Sequence, residues 1–190
     1  MDTFTEEGAE LVWHDNVSSF YWGVNLTQFY IDDEPFYVKE EKKESTSWLD
    51  DIAEQAAIHS AILDSGNSFI NLPGDVFDKI MGMINERAGE CFYNEYGNLL
   101  CPCEATKPET WSQIYPTLKA TFDDITYQIP TASWIMPAAT NLCSVEIHKM
   151  DSIYFDLYIF GLTFLENYYS VHDMVNNRVG LAPSNYNKLK

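Results

Sequence analysis

Basic residues are scarce in this sequence, since its 190 residues include 11 Lys and Arg against 29 Asp and Glu. The formal net charge is −18 and the isoelectric point is near 4.3. A phosphate backbone or an anionic membrane surface needs a basic protein face, so we expect neither nucleic acid nor a membrane surface as a partner. The excess of carboxylates suits work at low pH, where protonation weakens their mutual repulsion.

Long apolar runs are absent as well. The most apolar stretch, residues 153–165, contains Asp156 and is shorter than the roughly 20 residues that a helix needs to cross a bilayer. The chain starts with acidic and polar residues, whereas a signal peptide opens with a basic patch followed by an apolar run. We therefore expect no membrane span, and we find no export signal in the printed sequence.

The sequence does contain enough apolar material for a packed core, with 46% hydrophobic and 15% aromatic residues. Its length suits one domain or at most two small ones, and it shows no internal repeat. We predict that residues 1–15 are a leader or linker. We also predict a charged, solvated loop over residues 39–47.

Short β-prone runs separated by turn residues dominate the chain and predict a mostly β fold. We place turns at Asp32-Asp33, Asp123-Asp124 and Asn176-Asn177, because Asp and Asn tolerate the backbone angles of tight turns. The predicted strands are residues 20–26, 28–31, 35–38, 58–63, 68–72, 118–122, 125–129, 154–160, 168–172 and 178–181.

One clear amphipathic helix is predicted after the break at Pro73-Gly74, with Asp75 as its N-cap and Gly89 as its end. Apolar residues recur along it at helical spacing, which predicts a buried face opposite a polar one. A second, short helix is predicted over residues 49–57. The apolar residues of the first helix are Val76, Phe77, Ile80, Met81 and Ile84.

The four cysteines admit three disulfide pairings, and sequence alone does not separate them. A zinc site would need two matched pairs at short spacing, whereas only Cys101 and Cys103 are close together, so we expect no metal. Four reduced thiols are a further alternative. Sequons make Asn16 and Asn25 glycosylation candidates in a secretory compartment. The cysteines are Cys91, Cys101, Cys103 and Cys143.

Asp64 is the strongest candidate for chemistry. It follows an apolar run and opens an Asp-Ser-Gly turn, which would hold its carboxylate rigidly for acid-base work. The alternative is a turn aspartate that bonds its own backbone, as most Asp-Ser-Gly segments do. The histidines do not cluster in the sequence and receive no role; they are His14, His59, His148 and His172.

Several segments together resemble pepsin-like aspartic proteases, in the order that the family has them. Residues 61–73, Ala-Ile-Leu-Asp-Ser-Gly-Asn-Ser-Phe-Ile-Asn-Leu-Pro, resemble the second active-site loop. Residues 159–169 are similar to the family's apolar-apolar-Gly signature, and residues 170–182 to its closing hairpin. Residues 21–26 resemble the opening strand of the same lobe, and residues 116–122 a later strand.

This resemblance implies an all-β fold, the C-terminal lobe of a bilobal protease, over residues 16–184. Residues 1–15 would be the interlobe linker and residues 185–190 a tail. It implies an aspartic-type endopeptidase without metal or organic cofactor, which acts on a peptide or protein substrate. The expected compartment is the secretory pathway, the extracellular space or a lysosome or vacuole.

The resemblance also implies roles for the loop residues. Asp64 matches the catalytic aspartate, and Ser65 matches the residue whose hydroxyl reaches the other lobe. Gly66 lets substrate backbone approach closely. Asn67 stands where the family usually has Thr or Ser, whose hydroxyl bonds the aspartate. Gly161 belongs to the second signature, and the following Leu162 departs from the family's frequent Asp.

The cysteines receive a pairing from the same resemblance. Cys143 sits at the second cysteine of the lobe's disulfide, and Cys103 is its expected partner, with Cys101 as the next choice. That leaves Cys91 to pair with Cys101. Either loop-closing bond would stabilise the fold chiefly by restricting the unfolded chain.

The resemblance covers one lobe, and no second Asp-Thr-Gly loop is visible. The family's mechanism needs two aspartates, so we expect an N-terminal lobe, from the same gene or a separate chain, to be required for activity. One alternative is a non-catalytic peptide-binding domain. Another is a homodimer that supplies two aspartates, which is disfavoured because doubling the charge of −18 gives −36.

Overall fold

The computed structural model describes residues 4–38, 60–150 and 157–185. The fold is mostly β, which confirms the predicted class. The helix predicted over residues 49–57, the charged loop over residues 39–47 and His59 lie outside the described residues. The strands are β1 (Val12–Asp15), β2 (Gly23–Ile31), β3 (Glu34–Val38), β4 (Ser60–Leu63), β5 (Ile70–Pro73), β6 (Phe92–Tyr93), β7 (Leu99–Pro102), β8 (Leu118–Phe122), β9 (Ile125–Ile129), β10 (Ile135–Ala139), β11 (Leu142–Val145), β12 (Ile147–Met150), β13 (Tyr158–Phe160), β14 (Tyr168–Asp173) and β15 (Arg178–Pro183).

Helical segments are few. The long helix α1 spans Gly74–Ala88, and two single-turn helices follow, α2 (Thr131–Trp134) and α3 (Leu162–Leu165). A 3-10 helix spans Pro108–Gln113. Among the residues described, no helix has both the length and the apolar character needed to span a membrane.

The described strands form three sheets. The largest runs β12-β5-β13-β4-β2-β8-β9, with β3 also paired to β2. A four-stranded sheet runs β10-β11-β7-β6, and a three-stranded sheet runs β1-β15-β14. In the largest sheet, β4 lies between β13, which is parallel to it, and β2, which is antiparallel. The end of β4 is therefore fixed from both sides.

The predicted turns are present, and each contains one residue in the left-handed region. Asp32 has φ 55°, Asp123 has φ 52° and Asn177 has φ 51°. Asp and Asn accept this conformation at lower cost than most other residues because their short polar side chains bond locally. The turns join β2 to β3, β8 to β9 and β14 to β15.

Helix α1 buries the predicted apolar face and ends before Gly89, as expected. Its start differs from the prediction, because Pro73 occupies the N-cap and makes no side-chain cap. Asp75 lies instead in the first turn, where its carboxylate accepts the Val76 N–H at 2.9 Å. A negative charge there still interacts favourably with the helix dipole.

The segment predicted as a leader or linker contributes a strand. β1 pairs with β15 along its whole length, and Thr5 forms an isolated bridge with Ser184. Residues 12–15 thus differ from the expected leader, because His14 on this strand is buried against partners more than 100 positions away. The domain bounds at residues 16 and 184 stay a prediction.

Candidate active site

Asp64 lies directly after β4, and its backbone is anchored to a neighbouring strand. Its N–H donates to the Phe160 carbonyl on β13 at 3.0 Å. The preceding residue, Leu63, donates to the Trp22 carbonyl at 2.8 Å. Leu63 is buried whereas Asp64 is partly exposed. The carboxylate therefore projects from a rigid strand end at a place that solvent can reach.

The turn after Asp64 orients its carboxylate. Gly66 N–H donates to Asp64 Oδ1 at 2.9 Å, and Asn67 N–H donates to the Asp64 carbonyl at 3.2 Å. A Cβ at Gly66 would stand 3.2 Å from that same Oδ1, so glycine keeps the space around the oxygen open. Asp64 thus makes the hydrogen bond to its own turn that is ordinary for such aspartates, from the Gly66 N–H to its carboxylate. The same carboxylate is also accessible to solvent.

The two polar neighbours in the loop behave differently. Ser65 is exposed, and its hydroxyl has no hydrogen-bond partner within the ranges described. Asn67 uses both amide hydrogens elsewhere, since its Nδ2 donates to the Phe69 carbonyl at 2.9 Å and to Asn71 Oδ1 at 2.7 Å. Its amide is therefore bound to Phe69 and Asn71 and does not bond the Asp64 carboxylate. The Thr or Ser hydroxyl that the family usually has at this position would bond the aspartate.

Gly161 holds the loop from the side of β13. Its N–H donates to the Phe69 carbonyl at 3.1 Å, and the next residue, Leu162, donates to the Asn67 carbonyl at 2.8 Å. A Cβ at Gly161 would overlap the carbonyl oxygens of Asn67 and Phe69. Glycine is therefore required at this position by direct backbone-to-backbone packing.

A cleft of about 300 Å³ opens beside Asp64. Its walls combine aromatic residues before β2, the end of β4 and one histidine of β14. Sequence reasoning named Asp64 and Ser65 for the site but assigned no role to this histidine. The lining residues are Phe20, Tyr21, Trp22, Ile62, Leu63, Asp64, Ser65 and His172.

The aromatic wall lies in a loop, although a strand was predicted from residue 20. Asn16 Oδ1 accepts the N–H groups of Ser18 and Gly23 at 3.2 and 2.9 Å. Ser18 Oγ accepts the N–H groups of Phe20 and Tyr21 at 3.3 and 3.2 Å. These side chains replace strand pairing, because they satisfy backbone donors locally.

The two glycosylation candidates both use their side-chain amides within the fold. Asn16 Nδ2 donates to Asn177 Oδ1 at 3.0 Å, at the tip of the β14–β15 hairpin. Asn25 lies on β2, and its Nδ2 donates to Asp123 Oδ1 at 3.1 Å. A glycan attached at either nitrogen would alter these bonds, and glycosylation at both sites stays a prediction.

Asp123 is a second carboxylate at a strand end, and side chains from other strands hydrogen-bond both of its oxygens. His14 Nδ1 lies 2.8 Å from Asp123 Oδ2, and His14 Nε2 lies 2.6 Å from the Tyr127 hydroxyl. His14 is only 1% exposed. Burial is the main cause that raises the pKa of Tyr127 well above its usual value.

The structure pairs the cysteines as the family resemblance implied. Cys91 and Cys101 have Cα atoms 4.3 Å apart, and Cys103 and Cys143 have Cα atoms 5.8 Å apart. The second bond joins residues 40 positions apart. In the chain-entropy model a loop of that length stabilises the fold by about 4 kcal/mol.

Among the residues that the structure describes, no group of His, Cys, Asp and Glu side chains is arranged to hold a metal ion.

Comparison with known proteins identifies relatives along almost the whole chain. Gastricsin of Mus musculus is 26% identical over 180 residues, which cover 93% of this chain and 39% of gastricsin. Gastricsin of Rattus norvegicus is 25% identical over 179 residues with the same coverage. Pregnancy-associated glycoprotein 4 of Ovis aries is 29% identical over 125 residues, which cover 65% of this chain and 30% of that protein.

The chain thus spans about two fifths of the length of the gastricsins that it matches. A family model for eukaryotic aspartyl proteases matches residues 5–184, which include every strand described above. That match contains the Asp-Ser-Gly turn, the supporting glycine of the second signature and the closing hairpin. The chain belongs to the eukaryotic aspartyl protease family.

Proposed function

We propose that this chain is the C-terminal lobe of a pepsin-like aspartic endopeptidase and that it supplies Asp64 as one of two catalytic aspartates. The observation that carries this proposal is the accessible Asp64 carboxylate, held by the Gly66 N–H beside a cleft. Membership of the protease family and the partial coverage of the gastricsins support it. Peptides and proteins are the corresponding substrates.

The proposed chemistry divides two roles between two carboxyl groups that share a proton. Because two neighbouring negative charges repel, one carboxyl stays protonated while the other is ionised. The ionised group takes a proton from water as the water oxygen attacks the peptide carbonyl carbon. The protonated group donates its proton to the carbonyl oxygen. Collapse of this adduct breaks the C–N bond as a proton passes to the leaving amine.

Asp64 alone fills one of these roles. An N-terminal lobe, from the same gene or a separate chain, would bring the second carboxylate. We therefore expect negligible peptidase activity from the isolated 190-residue chain. The reaction uses water and two carboxyl groups, so the proposal requires neither a metal nor an organic cofactor.

The neighbours of Asp64 have supporting roles in this proposal. Gly66 and Gly161 allow the close backbone contacts that fix the loop, and Ser65 presents its hydroxyl to solvent, where a partner lobe would dock. Asn67 ties the loop to β5 through Asn71. The position of the loop after Asp64 is thus fixed mainly by backbone contacts, and these contacts preserve the orientation of the Asp64 carboxylate.

The proposed compartment is the secretory pathway, with the extracellular space or a lysosome or vacuole as the final site. Two disulfides in one small domain are typical of oxidising compartments. The charge of −18 is better tolerated at acid pH, where part of it is neutralised.

The first test is to sequence the transcript upstream of Met1 and to produce the encoded protein. Peptides with bulky apolar residues around the cleaved bond are then assayed at acid pH. We expect turnover by the complete protein, none by Asp64→Asn, and none by the isolated chain. Undiminished turnover by Asp64→Asn contradicts the proposal.

A non-catalytic peptide-binding domain is the second candidate, and the bonding of Asn67 favours it. Both hydrogens of that amide are used by Phe69 and Asn71, so the Asp64 carboxylate receives no support from it. Binding of a pepstatin-type inhibitor by the complete protein without any peptide turnover would favour this candidate over the protease.

A further inference from the structure

His172 forms one wall of the cleft beside Asp64. It lies on β14, which is paired with β15 along its full length, and it stands opposite Val179. The imidazole packs edge-on against the Trp22 indole, with ring centroids 4.9 Å apart and an interplanar angle of 87°. Strand pairing and this aromatic contact together fix the position of the ring.

The ring nitrogens of His172 have no hydrogen-bond partner within residues 4–38, 60–150 and 157–185. The side chain is nonetheless partly buried, so its access to water is reduced. His14, on the same face of the same sheet, has both nitrogens engaged by Asp123 and Tyr127. A partly desolvated polar group without a partner gains most from a ligand that supplies one.

We propose that His172 is a specificity-determining residue, whose imidazole hydrogen-bonds the end of a substrate side chain that enters this cleft and selects glutamate there. This inference rests on the proposed function. The apolar walls formed by Trp22 and Ile62 suit the two methylene groups of glutamate, and the imidazole N–H donates to its carboxylate. Lysine is disfavoured, because its ammonium group offers no acceptor and repels a protonated imidazole.

The preference for glutamate depends on pH in a defined way. Burial lowers the pKa of His172 below its usual 6.5, so the ring is cationic only at acid pH. The carboxyl of a glutamate side chain ionises above about pH 4.3. The charged pair therefore requires a pH above the pKa of the glutamate carboxyl and below the lowered pKa of the imidazole. Above the pKa of the ring, the neutral imidazole still donates one hydrogen bond to the carboxylate, without the attraction between opposite charges.

Within the described part of the chain, five charged or titratable groups lie around His172. Asp64 and Tyr21 line the same cleft, where an ionised Asp64 would favour the cationic ring and repel the glutamate carboxylate. Asp173 and Arg178 form an ion pair of their own at 3.0 Å along the hairpin. His14, beyond Val179 on β1, hydrogen-bonds Asp123 and Tyr127.

The test measures kcat/KM of the complete protein on matched peptides that carry Glu, Gln, Leu or Lys at one position near the cleaved bond. Each position on either side of the bond is varied in turn, at pH 3.5, 5 and 6.5. At one position we expect Glu to be favoured over Gln by about tenfold at the pH where the imidazole is protonated and the carboxyl is ionised, the effect of one hydrogen bond to a charged group. The preference decreases at pH 3.5, where the carboxyl is protonated.

Variants separate recognition from folding. His172→Phe should lose the preference for Glu while it retains cleavage of the Leu peptide. His172→Gln should keep a preference for polar over aliphatic residues and lose the part of its pH dependence that comes from the imidazole. His148→Phe is the matched control, because His148 is a similarly buried strand histidine stacked on Phe69, outside this cleft. It should behave like the wild type.

Equal kcat/KM for Glu, Gln and Leu at every position in the wild type would overturn the proposal. So would an unchanged preference in His172→Phe. Failure to cleave any peptide, the Leu peptide included, would instead count against the proposed function. In that case NMR of the isolated chain decides, since saturating Glu peptide must shift the His172 ring resonances, and an absence of any such shift overturns the proposal.

Discussion

Asp64 and Asp123 stand in similar local contexts and end in different chemical situations. Each follows the last residue of a strand in the same sheet, Leu63 on β4 and Phe122 on β8, and each opens a turn. Asp123 accepts hydrogen bonds from His14 and Asn25 on both carboxylate oxygens. Asp64 accepts one from the Gly66 backbone and borders an open cleft.

This difference shows what makes a carboxylate available for chemistry. The partners of Asp123 come from β1 and β2, 109 and 98 positions away in the chain, and they occupy its oxygens. The turn at Asp64 is held instead by backbone contacts and by close packing at Gly161. A carboxylate oriented without side-chain partners keeps lone pairs for water and substrate.

The largest effect should come from removing each carboxylate in the complete protein. Asp64→Asn is expected to reduce kcat by at least about 100-fold, because the group acts in proton transfer. Asp123→Asn should leave kcat nearly unchanged and lower the free energy of unfolding. Peptide assays at acid pH and urea unfolding measure the two effects. Similar losses of kcat in both variants would remove the distinction between the sites.

Gly161→Ala tests whether backbone packing positions Asp64. The new Cβ overlaps two carbonyl oxygens, so we expect a loss of about 3 kcal/mol or more in unfolding free energy. Gly82→Ala is the control, because a Cβ there meets nothing within 4 Å and alanine favours the helix by up to about 1 kcal/mol. Chemical denaturation of the chain measures both, and a neutral Gly161→Ala would refute the packing argument.

Tyr127→Phe tests the other side of the comparison. It removes the hydroxyl at 2.6 Å from His14 Nε2 and leaves that buried nitrogen unpaired. We expect a loss of about 1–3 kcal/mol in unfolding free energy and no change in kcat of the complete protein. Tyr96→Phe is the control, since Tyr96 is largely exposed, and its change should stay within about 0.5 kcal/mol. A loss of activity in Tyr127→Phe would contradict this, because it would show that the hydrogen bonds around Asp123 affect catalysis at Asp64.

The smallest effect at working pH concerns two tyrosines, the buried Tyr115 and the partly buried Tyr168. Burial raises the pKa of Tyr115 and of Tyr168 to about 12, from an ordinary value of 10.0. The stability that this shift represents is fully present below pH 10 and is lost as pH rises towards 12. Spectrophotometric titration with parallel urea unfolding should show late-ionising tyrosines and an alkaline loss of stability. Ionisation of all tyrosines near pH 10 in the folded protein would contradict this.

Much of the fold follows from local patterns. The turns at Asp32, Asp123 and Asn177 were predictable because only a few residue types accept a left-handed backbone at low cost. The buried face of α1 followed from helical spacing. The N-cap was misplaced by two residues, because Pro73 and Asp75 both suit a helix start and only the position of β5 selects between them.

The candidate site was predictable in part. Asp64 and Gly161 were found through motifs, since each motif keeps its own residues together in sequence. The bonding of Asn67 to Asn71 was not expected, because it depends on how the loop meets β5. Residues 20–22 were predicted as the start of a strand but lie in a loop, because Asn16 and Ser18 bond the backbone there.

By itself the sequence determined a mostly β chain with an Asp-Ser-Gly turn after an apolar strand, because propensity and turn chemistry act between near neighbours. Only the tertiary structure decided which aspartate remains accessible and that His172 stands in the same cleft as Asp64. The two are separated by more than 100 positions, and their meeting depends on the packing of β14 against the loop before β2. Such contacts arise from burial of the whole core, which no short stretch of sequence specifies.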